Sequence, residues 1–154
     1  MFVLKVAQAL KEANVRFAIA GGYAVALHGA LRGTLDLDLV LRLDRQNFVE
    51  AAGALRRLRL EPRLPATAEE VFDFRGEYLK HRALRQWDFH DAEDPSQRVD
   101  ILLAHDLRTL RVDRLRCGDA ELPVVSRADL VAMKRASGRP QDLEDARALE
   151  LLAS

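Results

Sequence analysis

Two carboxylates lie two residues apart in Leu35 to Leu41, where Asp36 and Asp38 alternate with leucines. On a strand that spacing projects both acids from one face and Leu35, Leu37 and Leu39 from the other. Like charges this close, in a stretch offering little water, have two solutions: one carboxyl keeps its proton, or a cation sits between the two. A hard divalent ion, Mg²⁺ or Mn²⁺, is the simpler of these. The same residues also suit a half-exposed strand whose solvent face carries two acids.

Upstream, Arg16 to Gly22 reads as a buried strand ending in Gly21 and Gly22, and Tyr23 to Leu31 follows at once with helical spacing. A strand that runs through glycines into a helix leaves unpaired N–H groups at the helix start, a setting that suits a phosphate. A phosphate pocket and a paired-carboxylate strand are thus neighbours in the chain.

The elements that must position these groups follow from periodicity. Val3, Val6, Ala7 and Leu10 define a helix over 2–13 that Asn14 stops, and a strand follows at 15–20. A short helix at 22–30 and the acidic strand at 35–42 come next. A longer helix over 45–60 ends among Arg56, Arg57 and Arg59, where cations favour the helix dipole. Pro62 and Pro65 mark 61–68 as a connector. From 67 to 84 the pattern is mixed: Thr67 with Glu70 resembles a capping box and favours helix, whereas Gly76 interrupts the run.

Residues 85–92 and 97–105 read as a hairpin, and in its second strand Arg98, Asp100 and Leu102 share one face. Asp100 is an isolated acid in an apolar strand, and an exposed edge strand would also account for it. A second hairpin turns at Gly118-Asp119, and Arg108, Arg111 and Arg114 ahead of it have the spacing of one helical face that could touch an RNA backbone. Ser126 is placed to cap a helix ending at Gly138, and Pro140 opens the next, with Leu143, Ala146, Leu149 and Leu152 expected inward.

The 154 residues fit a single domain over 1–154, with a core of about 15–104 and C-terminal helices at about 126–152. Lys and Arg number 24, as do Asp and Glu, so no net charge draws the chain to nucleic acid or to an anionic membrane. Any nucleic-acid contact has to be local. The single Cys117 cannot close an intrachain disulfide, which fits a reducing compartment. The longest apolar stretch, Phe17 to Leu31, is broken by glycines and His28 and is too short to span a bilayer. A cytoplasmic protein without membrane contact is expected. His28, His81, His90 and His105 lack ligand spacing and read as structural or surface residues, and no Ser-His-Asp or Cys-His set assembles.

An apolar strand, Gly21-Gly22, a short helix and an Asp-x-Asp strand together resemble the nucleotidyltransferase superfamily with its DNA polymerase beta-like fold. Gly21-Gly22, the run Ala26 to Thr34 with Arg32 and Thr34 just ahead of the acids, and Asp36 to Leu39 narrow the resemblance to minimal nucleotidyltransferases of abortive-infection (AbiEii-type) and toxin–antitoxin systems. The resemblance implies a third carboxylate on an adjacent strand, and Asp100 matches it, with Asp88 as the fallback. Lys134 to Asp145 resembles the Lys, Arg and Asp-x-x-Asp end of the group, although Gln141 stands where a Lys or Arg often precedes the first Asp.

The fold so implied is α/β (α+β), a short mixed sheet with flanking helices and a C-terminal helical pair. The implied activity is metal-dependent transfer of a nucleoside monophosphate from a nucleoside triphosphate such as ATP to a hydroxyl of RNA or protein, in a toxin–antitoxin setting. Asp36, Asp38 and Asp100 would hold two Mg²⁺ (or Mn²⁺) ions, and Gly21, Gly22, Arg32, Thr34, Lys134 and Arg139 would contact the nucleotide. On helical spacing Lys134 lies at the core edge with its ammonium free to reach a triphosphate, so its loss should weaken nucleotide binding with little effect on stability. Two alternatives share the fold: an antitoxin that binds or modifies its toxin, and a nucleotide-binding module without turnover.

Overall fold

The computed structural model describes residues 1–30, 36–81 and 84–152. Its centre is a seven-stranded mixed sheet that the alternating segments build in the spatial order β3-β4-β5-β2-β1-β7-β6. The strands are β1 (Phe17–Ala20), β2 (Asp36–Leu41), β3 (Glu61–Pro62), β4 (Gln86–His90), β5 (Arg98–Leu102), β6 (Val112–Cys117) and β7 (Ala120–Val125). Helices α1 (Phe2–Glu12), α2 (Gly21–Leu27), α3 (Arg45–Arg57), α4 (Ala68–Asp73), α5 (Arg75–His81), α6 (Arg127–Ser137) and α7 (Pro140–Leu151) surround it. This is the α/β architecture with a C-terminal helical pair that the sequence implies.

Register decides what each face carries. β2 runs antiparallel to β1 and parallel to β5, and β5 runs antiparallel to β4, so Ala20, Asp38, Asp100 and Asp88 form one row across four strands. The alternate rows, Leu37 with Val99 and Phe89, and Leu39 with Ile101 and Trp87, point to the opposite face and are fully buried. Phe48 of α3 stacks on Trp87 at 6.1 Å and meets Phe72 of α4 edge-on at 5.3 Å, which closes the core on that side. One face of the sheet is therefore hydrocarbon and the other presents the acids.

Local signals fold as read. The Thr67–Glu70 capping box starts α4, Ser126 caps α6 through the Asp129 N–H, Gly138 ends α6 at φ +72°, and Pro140 opens α7. The mixed stretch from 67 to 84 resolves into two short helices that meet at Phe74, with Gly76 inside the second. The helical face expected for Arg108, Arg111 and Arg114 does not form. A 3₁₀ turn covers only Leu107–Thr109, Arg108 folds back onto Asp106, and Arg114 lies on edge strand β6. The inward stripe of α7 also differs: Ala146 and Leu149 are buried with Asp142 and Asp145, while Leu152 is exposed. No described helix is long and apolar enough to cross a membrane.

Candidate active site

The site begins at the end of β1. Ala20 is extended, and Gly21 turns the chain into α2 at φ +63°. A Cβ on Gly21 would lie 1.9 Å from Oδ2 of Asp38, so this position excludes every other residue twice, by backbone conformation and by space. The glycine backbone packs directly on the carboxylate. Ala20 supplies no side chain to cap α2, so the helix start has no side-chain cap among the described residues.

Asp38 lies beside Asp100 in the register of β2 and β5. Burial, then repulsion from Asp100 and Asp36, pushes its carboxyl up to about 7, although Lys134 and Arg98 pull the other way. Asp100 is 1% exposed, and burial raises its pKa as well, with the charges of Asp36 and Asp88 adding to the rise. The Arg98 Nε donates to its Oδ1 at 2.9 Å and the Gln86 Nε2 to its Oδ2 at 3.2 Å. Asp36 is exposed at the start of β2, across from Arg98. Asp88 is half-buried, and its carboxylate pairs with Arg63 at 2.8 Å and faces Arg98 at 3.8 Å.

Asp36, Asp38 and Asp100 floor a cleft of about 680 Å³. Gly21, Gly22, Asp36, Asp38 and Asp100 line it, as do Lys134, Ser137 and Arg139 around the end of α6, and Arg85, Gln86 and His105 from the hairpin. The sequence-read residues thus come together, except Arg32 and Thr34, which lie outside the described residues. Lys134 differs in its engagement: its ammonium, with a side chain 12% exposed, is held by Asp142 at 3.1 Å and Asp145 at 3.0 Å. Arg139 donates to Asp142 at 2.9 Å, and the Ser137 hydroxyl donates to the same carboxylate. Burial would raise Asp142, but hydrogen bonds from Ser137, Arg139 and Lys134 hold it below the usual carboxylate range.

Sequence reasoning missed Arg85, Gln86 and His105, and gave Asp142 and Asp145 no role beyond the motif. The Asp-x-x-Asp spacing, which puts both acids on one helical face below Lys134, was the usable signal for that pair. No spacing marks Arg85 or His105, whose place depends on the fold.

The donor set matches a hard divalent cation in kind, since carboxylate oxygens are its preferred ligands and Asp38 is destabilised as an anion without one. Its arrangement is incomplete: among the described residues no three His, Cys, Asp or Glu side chains are gathered closely enough to form a ready-made cage. Each oxygen of Asp100 already accepts one hydrogen bond, from Arg98 and from Gln86.

No protein-family model and no curated protein sequence matches the chain. Solved structures do. A crystal structure of ANT(2'')-Ia in complex with adenylyl-2''-tobramycin is similar at 14% identity and a TM-score of 0.63, over 99% of this chain and 87% of that one. The lincosamide antibiotic adenylyltransferase LnuA, solved with lincomycin bound, is similar at 13% identity and 0.61, over 98% and 96% of the two chains. A Thermotoga maritima protein assigned as a nucleotidyltransferase gives 15% identity and 0.60, over 94% and 88%. The fold is that of nucleotidyltransferases. At these identities the likeness is one of architecture, and the chemistry rests on the residues above.

Proposed function

We propose that the chain is a metal-dependent nucleotidyltransferase that moves a nucleoside monophosphate from a nucleoside triphosphate to an acceptor hydroxyl. The observation that carries this reading is the carboxylate row on the cleft floor, with Asp38 packed against the Gly21 backbone and next to Asp100. Asp36, Asp38 and Asp100 would hold divalent ions, the last after turning from Arg98. Bound there, Mg²⁺ offsets the charge of the triphosphate and makes the acceptor hydroxyl more acidic.

The remaining roles belong to this chain's own groups. N–H groups at Gly21 and Gly22 bind phosphate oxygens. Asp100 takes the proton of the acceptor hydroxyl as that oxygen bonds to the α-phosphorus, and the bond from α-phosphorus to the bridging oxygen breaks to release pyrophosphate. Arg139, with a side chain 79% exposed, can leave Asp142 for the departing pyrophosphate at small cost, whereas Lys134 cannot. Lys134 acts instead by holding Asp142 and Asp145 and through its field on Asp38.

The resemblance of the Gly21 to Leu39 segment to AbiEii-type and toxin–antitoxin proteins supports RNA or protein as the acceptor, with a cognate toxin or antitoxin as partner. One observation favours a second reading, nucleotide binding without turnover: Arg98 and Gln86 occupy both oxygens of Asp100. Incubation with Mg²⁺ and each α-labelled nucleoside triphosphate, together with cellular RNA and protein, separates the two. Transfer of label that Asp38→Asn abolishes is expected. Tight nucleotide binding with no transfer and no pyrophosphate release would select the second reading.

A further inference from the structure

The cations around the cleft fall into two sets. Lys134 lies between two carboxylates of α7 and is committed to them, and Arg139, paired with Asp142, is the cation assigned above to the pyrophosphate. Arg85, at the start of β4, lines the same cleft, is exposed, and has no carboxylate partner among the described residues. Its carbonyl accepts from the Leu103 N–H at 2.9 Å, which ties it to the segment that carries His105. His105 lines the cleft as well, half-buried, and burial followed by the charge of Arg85 lowers its pKa. A fork of guanidinium donors therefore stands beside an imidazole whose protonation burial and that charge disfavour, in a cleft that Asp36, Asp38 and Asp100 also line.

Topology places this pair away from the glycine turn. Gly21 follows β1, Asp38 and Asp100 lie on β2 and β5, and Arg85 and His105 belong to the β4–β5 hairpin beyond them. A nucleotide whose phosphates lie at Gly21 and Gly22 leaves the hairpin side to the second substrate. We propose that Arg85 and His105 form a phosphate-binding subsite for the acceptor, so that the hydroxyl receiving the nucleotide belongs to a phosphorylated molecule. This rests on the nucleotidyltransferase reading above. A guanidinium holds two oxygens of a phosphate at once, and the imidazole N–H reaches a third. Fixed there, the phosphate keeps its distance from the carboxylates, and a polycationic acceptor meets a like charge at the same place.

The test uses the full chain saturated with Mg²⁺ and a non-transferable triphosphate analogue. Ribose, ribose 5-phosphate and a short single-stranded oligoribonucleotide with a free 3′ hydroxyl are titrated by calorimetry, and the His105 imidazole is followed by NMR. At least one phosphate-bearing probe should bind about tenfold tighter than ribose and shift the His105 signals. Arg85→Gln should erase that preference while triphosphate affinity stays within about twofold, and Arg85→Lys should restore part of it. Preference for ribose 5-phosphate assigns a free sugar phosphate as acceptor, and preference for the oligonucleotide assigns a nucleic-acid end. Probes no tighter than ribose, or an Arg85→Gln protein that loses triphosphate affinity instead, overturn the subsite and leave the nucleotidyltransferase reading standing. Absence of triphosphate binding by the unaltered protein overturns both.

Discussion

Asp38 is the residue at which the fold works against itself. Its carboxyl titrates near 7 in the folded chain and at 3.8 ordinarily, so between those values the folded state holds the extra proton. Stability therefore falls as pH rises through that window and does not depend on this group below it. Asp38→Asn should make the metal-free protein more stable than the parent at pH 8 by roughly 2 to 4 kcal/mol and leave the two alike near pH 3.5. Denaturant titrations in chelator at both values measure this, and adding Mg²⁺ at pH 8 should close most of the gap. A gap of the same size at low pH would mean that a lost contact, and not a displaced proton, is responsible. The neighbouring glycine gives a complementary test. Gly21→Ala should lose about 1–2 kcal/mol from the left-handed backbone alone, and more from the collision with Asp38. Because the carboxylate has to swing away, divalent-cation binding should fail together with stability, which Mn²⁺ calorimetry would show.

Helices α6 and α7 carry the clearest difference between sequence and structure. From spacing alone Lys134 was a free ammonium at a core edge whose removal would leave stability nearly untouched. In the fold it neutralises two acids whose side chains are 7% and 4% exposed. Lys134→Ala should therefore cost about 3–5 kcal/mol, read as a large fall in melting temperature, and any loss of nucleotide affinity has to be measured well below that temperature. Lys134→Ala combined with Asp145→Leu should recover part of the loss, since one stranded charge goes. Periodicity counts apolar residues, so it found Ala146 and Leu149 and passed over Asp142 and Asp145, which are buried beside them. A buried acid depends on a partner from another helix, and no pattern within α7 announces one. Caps were legible for the opposite reason. Thr67 with Glu70, Ser126, Gly138 and Pro140 each act within one turn of their own position.

Across the whole molecule, strand identity was legible and strand order was not. Alternation marked β2, β4 and β5, and the short connection between the last two implied their antiparallel pairing. The parallel neighbours β2 and β5 are separated by three helices and two other strands, and only the resemblance put Asp38 near Asp100. Arg85 and His105 enter the cleft through that same unread pairing. If the cleft binds a nucleoside triphosphate, a concentration about a hundredfold above its dissociation constant should add about 2.7 kcal/mol to global stability, and only with Mg²⁺ present. Thermal shift across the four triphosphates, with and without chelator, measures this.

The row of Ala20, Asp38, Asp100 and Asp88 also carries a consequence in time. It exists only after β2 has found β5 across a long stretch of chain, and the α6 wall is in place only after β7 has joined β1 through the single parallel pairing of Ile19 with Val124. Closing such loops is the slow part of assembling a sheet. Each half of the proposed cation site is therefore made without the other until the two strands meet, and a divalent ion would have little to grip before then. Mg²⁺ and nucleotide should slow unfolding and leave the folding rate almost unchanged, so they would guard the finished molecule without guiding its assembly.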